Sequence, residues 1–473
     1  MWINRLTQFL THNWLILNVL IPLISACVIA ICNNRTIARR IFISIAPLLL
    51  ALGIFVPNMD TNYALGDWPA PVGIEYILDD LNFPFIIYAH IMLLLFSLNI
   101  SWLRLDTEKS ISKQYRHLLY AVLIAAHTGF IGILVTGDIF NLYVFIEIST
   151  LASYALISMG RNNQAVHGAF EYLVIGTIAA TLILLGIGML FSATGTLNMK
   201  HMMLLLEDNH GSRMVYMGVL LFTIGTLVKV ALFPLHFWMI KAYSWTSGSI
   251  LTYIASISGA TGFYILLRFI YSIIGMEIFA QFGMNLILNS LGIIAILAGS
   301  LYAYRSYNLR QIVLFSATVQ VGYICLMIAN KAPALICVQY ILADGMMKFV
   351  LFYFITQLEI GKRDITLLDL EGLSHRFPIL CGLMTFNLIS NMGLPITIGF
   401  FNKMNLLYAL MNNMNQAAFI AVIISSIVGI EYNFRIIRKM YIGEKAMAMR
   451  LYLGNNRLGL IIATLLGFGL ILL

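Results

Sequence analysis

About fourteen apolar runs, most of them around twenty residues long, leave this chain few folds to choose from. Their approximate limits are 14–33, 41–57, 84–103, 117–135, 138–159, 169–193, 214–240, 248–274, 284–304, 311–329, 334–357, 378–408, 416–437 and 456–473. A helix rises about 1.5 Å per residue, so about twenty residues cross a hydrocarbon layer of roughly 30 Å. Within lipid every backbone N–H and C=O must be satisfied inside the protein, which leaves helices or closed barrels. The alternating pattern of a barrel is absent. The reading is therefore an all-α polytopic membrane protein with about 14 transmembrane helices. Composition agrees, with 60% hydrophobic and 10% charged residues over 473 positions. The first run is too long for a signal-peptide core and lacks a cleavage site, so it is expected to be retained. All five cysteines (Cys27, Cys32, Cys325, Cys337, Cys381) fall in or beside apolar runs and read as buried free thiols.

The connections sort by charge. Odd-numbered ones carry Arg35, Arg39, Arg40; Arg104, Lys109, Lys113, Arg116; Arg161; Lys241; Arg305, Arg310; Lys362, Arg363, Arg376; and Arg435, Arg438, Lys439, Lys445, Arg450, Arg457. The opposite side has only Arg5, Lys200, Arg213 and Lys331, while Lys229, Arg268, Lys348 and Lys403 lie within spans. This bias puts the odd loops in the cytoplasm and both termini outside. The connection between spans 2 and 3, with Asp60, Asp67, Glu75, Asp79 and Asp80, agrees. The net charge of +8 thus reflects membrane orientation and not a nucleic-acid surface. The lipid bilayer is the expected environment, and no connection is long enough to hold a soluble catalytic domain.

Against this background the ionisable residues inside the runs carry the functional signal. Glu147 lies about nine residues into its run, roughly 13 Å deep. A charge there costs at least about 2.5–3.5 kcal/mol unless it is paired, hydrated or neutralised. Lys229 precedes Pro234, which removes a backbone donor and should break span 7 near residues 230–234. That places the lysine near unpaired carbonyls at a helix end. Span 12 repeats the device: Gly393 and Pro395 interrupt it and Lys403 follows. Paired proline-interrupted spans point to a transporter built from inverted repeats, although prolines are common in membrane helices generally. Lys229 is the expected counter-charge of Glu147, as a proton-releasing switch or as a static pair fixing helix packing. Asp344 and Lys348, four apart on one helix face, form either a relay station or a self-neutralising pair. Glu431 and Arg435 repeat that spacing, with a structural role expected. Asp138 opens span 5 and is expected to serve its helix N-terminus. Among the histidines only His236, two turns past Lys229, joins Asp344 as a secondary candidate; His90 and His127 read as ordinary interhelical hydrogen-bond partners.

No P-loop, dinucleotide fingerprint, zinc spacing or haem pattern occurs, so no cofactor or metal is expected. Ionisable groups in successive spans suggest a path for protons or ions instead.

Several segments resemble a known family: GDIFNLYVFIEIS (137–149), TGTLNM (194–199), KVALFPLHFW (229–238), NLRQIVLFSATVQVGY (308–323) and GLPITIGFFNK (393–403). They resemble the antiporter-like membrane subunits, which include the D component of Mrp-type multisubunit Na⁺/H⁺ antiporters and the proton-pumping subunits of respiratory complex I. The FNLYVF wording looks more like the Mrp branch. The resemblance implies two inverted five-helix repeats with broken helices 7 and 12. The divisions would be N-terminal helices 1–3 (1–116), a first repeat (117–275), a second repeat (276–440) and a last helix (441–473). It also implies that Glu147, Lys229, Lys348 and Lys403 belong to a hydrated midplane chain carrying protons. Three positions depart from the family pattern: Ala260 replaces a helix 8 lysine or histidine, Asp344 replaces a helix 11 histidine, and Glu171 replaces a helix 6 lysine.

The expectation is a subunit of a monovalent cation (Na⁺)/proton antiporter in a bacterial inner membrane, partnered by other membrane subunits. The alternatives are a proton-pumping subunit of complex I or a membrane-bound hydrogenase, and a non-conducting assembly subunit.

Overall fold

The computed structural model describes residues 13–32, 34–54, 61–98, 116–160, 163–209, 211–358 and 365–443. The expected span at 456–473 lies outside these residues, as do Asp60 and the loop charges Arg5, Arg104, Lys109, Lys113, Arg161, Lys362, Arg363, Lys445, Arg450 and Arg457. The first helices are α1 (Trp14–Ile31), α2 (Arg35–Ile54), α3 (Phe83–Leu98), α4 (Arg116–Val135), α5 (Ile139–Ser158), α6 (Asn163–Thr194), α7 (Met199–Asn209) and α8 (Arg213–Lys229). Then come α9 (Phe237–Trp245), α10 (Gly248–Phe269, extended by a π-turn to Ile274), α11 (Met276–Gln281), α12 (Met284–Arg305) and α13 (Leu309–Ala329). The series ends with α14 (Ala334–Leu358), α15 (Pro378–Met392), α16 (Ile398–Asn412) and α17 (Gln416–Tyr441).

Ten of these are long and apolar enough to cross a membrane, and α3 and α15 are shorter apolar helices. Counting α8/α9 and α15/α16 as one interrupted span each, the first thirteen expected spans are all found among the described residues. Their starts are set by side-chain caps where the sequence supplies them. Asp138 accepts from the Asn141 N–H (2.7 Å), Asn308 from that of Arg310 (2.9 Å) and Asn415 from that of Ala418 (3.2 Å). Asp138 thus takes its expected structural role.

One departure from an all-helical reading lies in the acidic connection. Thr61–Ala64 (β1) and Glu75–Leu78 (β2) pair antiparallel, Thr61 opposite Leu78. Tyr63, Tyr76, Ile77 and Leu78 favour a pleated, half-buried surface, but four-residue strands are too short to announce themselves among charges. The cysteines also divide: Cys325, Cys337 and Cys381 are buried, whereas Cys27 is exposed and Cys32 intermediate. A surface residue in a lipid-facing helix satisfies hydropathy as well as a core residue does, so apolar context alone could not tell them apart.

The described chain divides into two compact units whose boundary falls inside α10. One holds 13–98, 116–229 and 260–282; the other holds 230–259 and 283–443. In the first unit α6 and α8 touch backbone to backbone. A Cβ at Gly186 would stand 2.8 Å from the Gly218 carbonyl oxygen and from the Phe222 nitrogen, so only glycine admits this approach. The β-hairpin is tied to helices of the same unit. Asn198 donates to Glu75 Oε1 (2.6 Å). Asp79 grips Arg268 of α10 with both oxygens, at 2.5 Å and 2.9 Å. Burial alone would raise the Asp79 carboxyl; the Arg268 guanidinium and the N–H groups of Asn82 and Leu81 outweigh it and hold the group below its ordinary range.

In the second unit Arg310 of α13 reaches the C-terminal end of α9, donating to the carbonyls of Tyr243 (3.1 Å), Ser244 (2.8 Å) and Thr246 (2.9 Å). A cation belongs at such an end, where carbonyls lack partners.

Candidate ion-pathway sites

The first unit carries Glu147 and Lys229. Glu147 sits in the middle of α5 and is half-buried. Lys229 is the last residue of α8. The helix stops there because Ala231 adopts φ +58 and the Phe233–Pro234 segment cannot continue the ladder; regular structure resumes at Phe237. The expected break is therefore present. The carbonyl surroundings expected for the lysine are not found, since its buried Nζ has no hydrogen-bond partner. The carboxylate acts on it only through space.

The second unit carries the other two candidates. Asp344 (5% exposed) and Lys348 (8% exposed) lie one turn apart on α14 and form an ion pair of 2.5 Å. The self-pairing read from their spacing is realised. The Lys348 ammonium faces bare backbone of α10, since a Cβ at Gly259 would be 3.6 Å from its Nζ. The neighbouring Ala260 is itself buried. Glu171, on α6 of the first unit, lies 3.5 Å from the exposed His167 ring.

Lys403, in the second turn of α16, donates to the Met392 carbonyl (2.7 Å) and lies over the Tyr323 ring at 5.5 Å. Met392 ends α15, and Gly393 closes it in the left-handed conformation, φ 79 and ψ 41. Pro395 is exposed in the break before α16, as Pro234 is in the first break. Lys403 thus occupies a site made by helix termination: an orphan carbonyl at the negative end of a helix. His236 stands at the N-cap position of α9, fully buried and stacked on Phe233 (4.8 Å between centroids).

The structure adds a buried polar chain that the sequence reading missed. Tyr340 donates to Gln320 Oε1 (2.8 Å), and Gln320 Nε2 donates to Asn391 Oδ1 (2.6 Å). Asn391 Nδ2 donates to Asn433 Oδ1 (3.4 Å). One signal was available: Tyr340, Asp344 and Lys348 form a single i, i+4, i+8 stripe on α14. The first unit holds a second missed cluster. His90 Nε2 lies 3.0 Å from Asn18 Oδ1, and His90 Nδ1 lies 3.2 Å from His127 Nε2, all three residues being fully buried.

Two helix breaks thus each have a lysine close by, Lys229 before the first and Lys403 after the second. Residues 136–429, more than half of the chain, match the family described as "NADH:quinone oxidoreductase/Mrp antiporter, TM". The chain belongs to this family. Among its relatives, "NADH-quinone oxidoreductase subunit N" of Desulforudis audaxviator is 31% identical over 449 residues, covering 92% of this chain and 87% of the relative. "Putative antiporter subunit mnhD2" of Staphylococcus aureus is 28% identical over 445 residues, covering 92% and 86%. Among solved structures, a chain of the archaeal membrane-bound sulfane sulfur reductase superposes with a TM-score of 0.86 at 24% identity, covering 97% of this chain and 93% of that one. That likeness concerns the fold. The chain is accordingly a multi-span membrane protein of the antiporter-like family.

Proposed function

We propose that this chain is a subunit of a multisubunit monovalent-cation/proton antiporter, with Na⁺ as the expected cation, and that it conducts protons through Glu147, Lys229, Lys348 and Lys403. The observation that carries the reading is the unpartnered Lys229 ammonium at membrane depth, acted on through space by Glu147. A buried charge without a hydrogen bond is costly, and such groups in membrane spans mark ion pathways. Glu147 is the gating carboxylate and Lys229 its proton-donating partner. Lys348 acts as the central relay and Lys403 as the terminal exchange with one aqueous side; Asp344 and His236 are secondary participants. The reading divides the chain into an N-terminal segment (1–116), two antiporter-like repeats (117–275 and 276–440) and a C-terminal segment (441–473). The drive is the proton-motive force, worth about 2.3 kcal/mol per charge per 100 mV. In this reading the protein resides in a bacterial inner membrane with both termini outside, the orientation that the loop charges favour, and assembles with other membrane subunits. The name of the staphylococcal relative, an antiporter subunit, supports the choice of reaction.

Glu147→Ala or Lys229→Ala should abolish cation-driven proton movement in inverted vesicles while the complex still assembles. Full activity in both variants sinks the assignment.

A second reading has its own support in the relative named as an NADH-quinone oxidoreductase subunit. In it the same residues pump protons in a redox-driven complex whose redox centres lie in other chains. Co-purification separates the two: iron–sulfur or NADH-oxidising partners favour the second, small membrane subunits alone the first.

A further inference from the structure

The buried chain from Tyr340 to Asn433 has a fixed hydrogen-bond direction. Asn433 Nδ2 donates to the Gly429 carbonyl (2.8 Å), which can only accept. That leaves Asn433 Oδ1 to accept from Asn391 Nδ2, Asn391 Oδ1 to accept from Gln320 Nε2, and Gln320 Oε1 to accept from the Tyr340 hydroxyl. Every amide orientation follows from one backbone carbonyl. The chain therefore ends at the Tyr340 hydroxyl, whose proton is committed to Gln320 and whose oxygen is left as an acceptor, one helical turn from Asp344. Tyr340, Gln320, Asn391 and Asn433 are 1%, 5%, 7% and 2% exposed, so water competes little for these bonds.

The other end matters equally. Asn391 adjoins Met392, whose carbonyl holds the Lys403 ammonium. One buried hydrogen-bond chain thus runs from the turn that carries Asp344 and Lys348 to the residue beside the Lys403 anchor. Carboxamides do not release protons in the physiological range, so this chain is unsuited to carry them. It is suited to carry position. A protonated Asp344 can donate to the Tyr340 oxygen, whereas an ionised Asp344 opposes it acceptor to acceptor.

We propose that Tyr340, Gln320 and Asn391 form a tie that couples the charge state of the Asp344–Lys348 pair to the hold of Met392 on Lys403. They are positioning residues. The physiological use of the tie rests on the antiport reading, but the tie itself is a property of the fold.

The experiment uses the purified complex in lipid nanodiscs and reads amide hydrogen exchange in the segment 389–398. That segment contains the Gly393 and Leu394 N–H groups bonded to the Ile389 carbonyl at the end of α15. Tyr340→Phe should speed exchange there about fivefold, the loss of one buried neutral hydrogen bond, although residue 340 lies on another helix. Gln320→Met should do the same, and the double variant should be no faster than the faster single one. In vesicles, Tyr340→Phe should also shift the pH at which cation-driven proton flux is half-maximal, a readout that loosened packing alone does not move. Unchanged exchange in Tyr340→Phe, or single-variant effects that multiply in the double, overturns the tie. If Gln320→Met does not assemble, Tyr340→Phe decides by itself. Absence of flux in the unaltered complex removes the antiport reading and leaves the exchange measurement to judge the tie.

Discussion

Replacing Lys229 by methionine should make the protein more stable and stop transport. Methionine matches the length of the lysine stem and removes the ammonium, whose Nζ is buried without a hydrogen-bond partner. An unsatisfied buried donor costs about 1–3 kcal/mol, and more when charged. Lys229→Met should recover at least that. Large chains gain roughly 1–2 °C per kcal/mol, scaling down the values known for smaller domains, so the melting midpoint should rise by about 2–5 °C. The same substitution at the other two lysines should have the opposite sign. Lys348→Met leaves Asp344 buried without its 2.5 Å partner, a loss of about 3–5 kcal/mol. Lys403→Met forfeits a charge-assisted bond to the Met392 carbonyl, about 1.5–3 kcal/mol, and its contact with the Tyr323 ring. The assay is thermal unfolding of the three purified variant complexes beside the parent, with vesicle flux measured on the same preparations. If Lys229→Met lowers the midpoint, the lysine is a structural ion-pair partner of Glu147 and the functional reading of its isolation collapses.

Two further outcomes follow from the geometry. Asp79→Asn strips the buried Arg268 of its carboxylate and should cost about 3 kcal/mol near neutral pH. Because the Asp79 carboxyl is held below its ordinary range, its contribution is present above the unfolded value near 3.9 and is lost as pH falls through the folded one. The stability gap between parent and variant should therefore narrow below about pH 4, and a gap constant down to pH 3 contradicts the assignment. Gly393→Ala forces a side chain into φ 79, about 1–2 kcal/mol, and sets its Cβ 2.6 Å from Lys403 Cδ. It should lower the melting midpoint and reduce flux several-fold; parental values for both would show that the Lys403 site tolerates displacement.

The sequence made the span pattern readable because lipid demands long, continuous apolar runs, and it marked both helix breaks because proline and glycine act locally. Asp344 and Lys348 were legible as a pair because spacing on one helix fixes which side chains meet. Partners across helices were not. Arg268 stood as a span charge without a partner, and only the fold brings Asp79 to it across 189 residues. Arg435 was expected to serve Glu431 four residues earlier; it instead donates to the Tyr304 carbonyl and lies over the Tyr304 and Tyr307 rings. His90 and His127 read as separate residues and meet each other at 3.2 Å. In each case the deciding contact joins distant segments, and no local periodicity reports it.

The contrast between Lys229 and Lys403 has a geometric cause that the paired breaks conceal. Side chains on a helix lean toward its N-terminus. A lysine that ends the helix before a break, as Lys229 does, therefore leans back along its own helix and away from the orphan carbonyls at that end. A lysine in the second turn of the helix after a break leans toward the break itself. Lys403 does so, and reaches the terminal carbonyl of α15. The same sequence device, a proline with a lysine nearby, thus gives an anchored cation when the lysine follows the break and an unanchored one when it precedes. Glu147 acts on the unanchored charge only through space, so a shift of α5 or α8 changes its energy without first breaking a hydrogen bond. Lys403 can change state only if the end of α15 moves. Exchange should therefore respond to substitutions around α5 and α8 through the charge of Lys229, and to substitutions around α15 through its backbone.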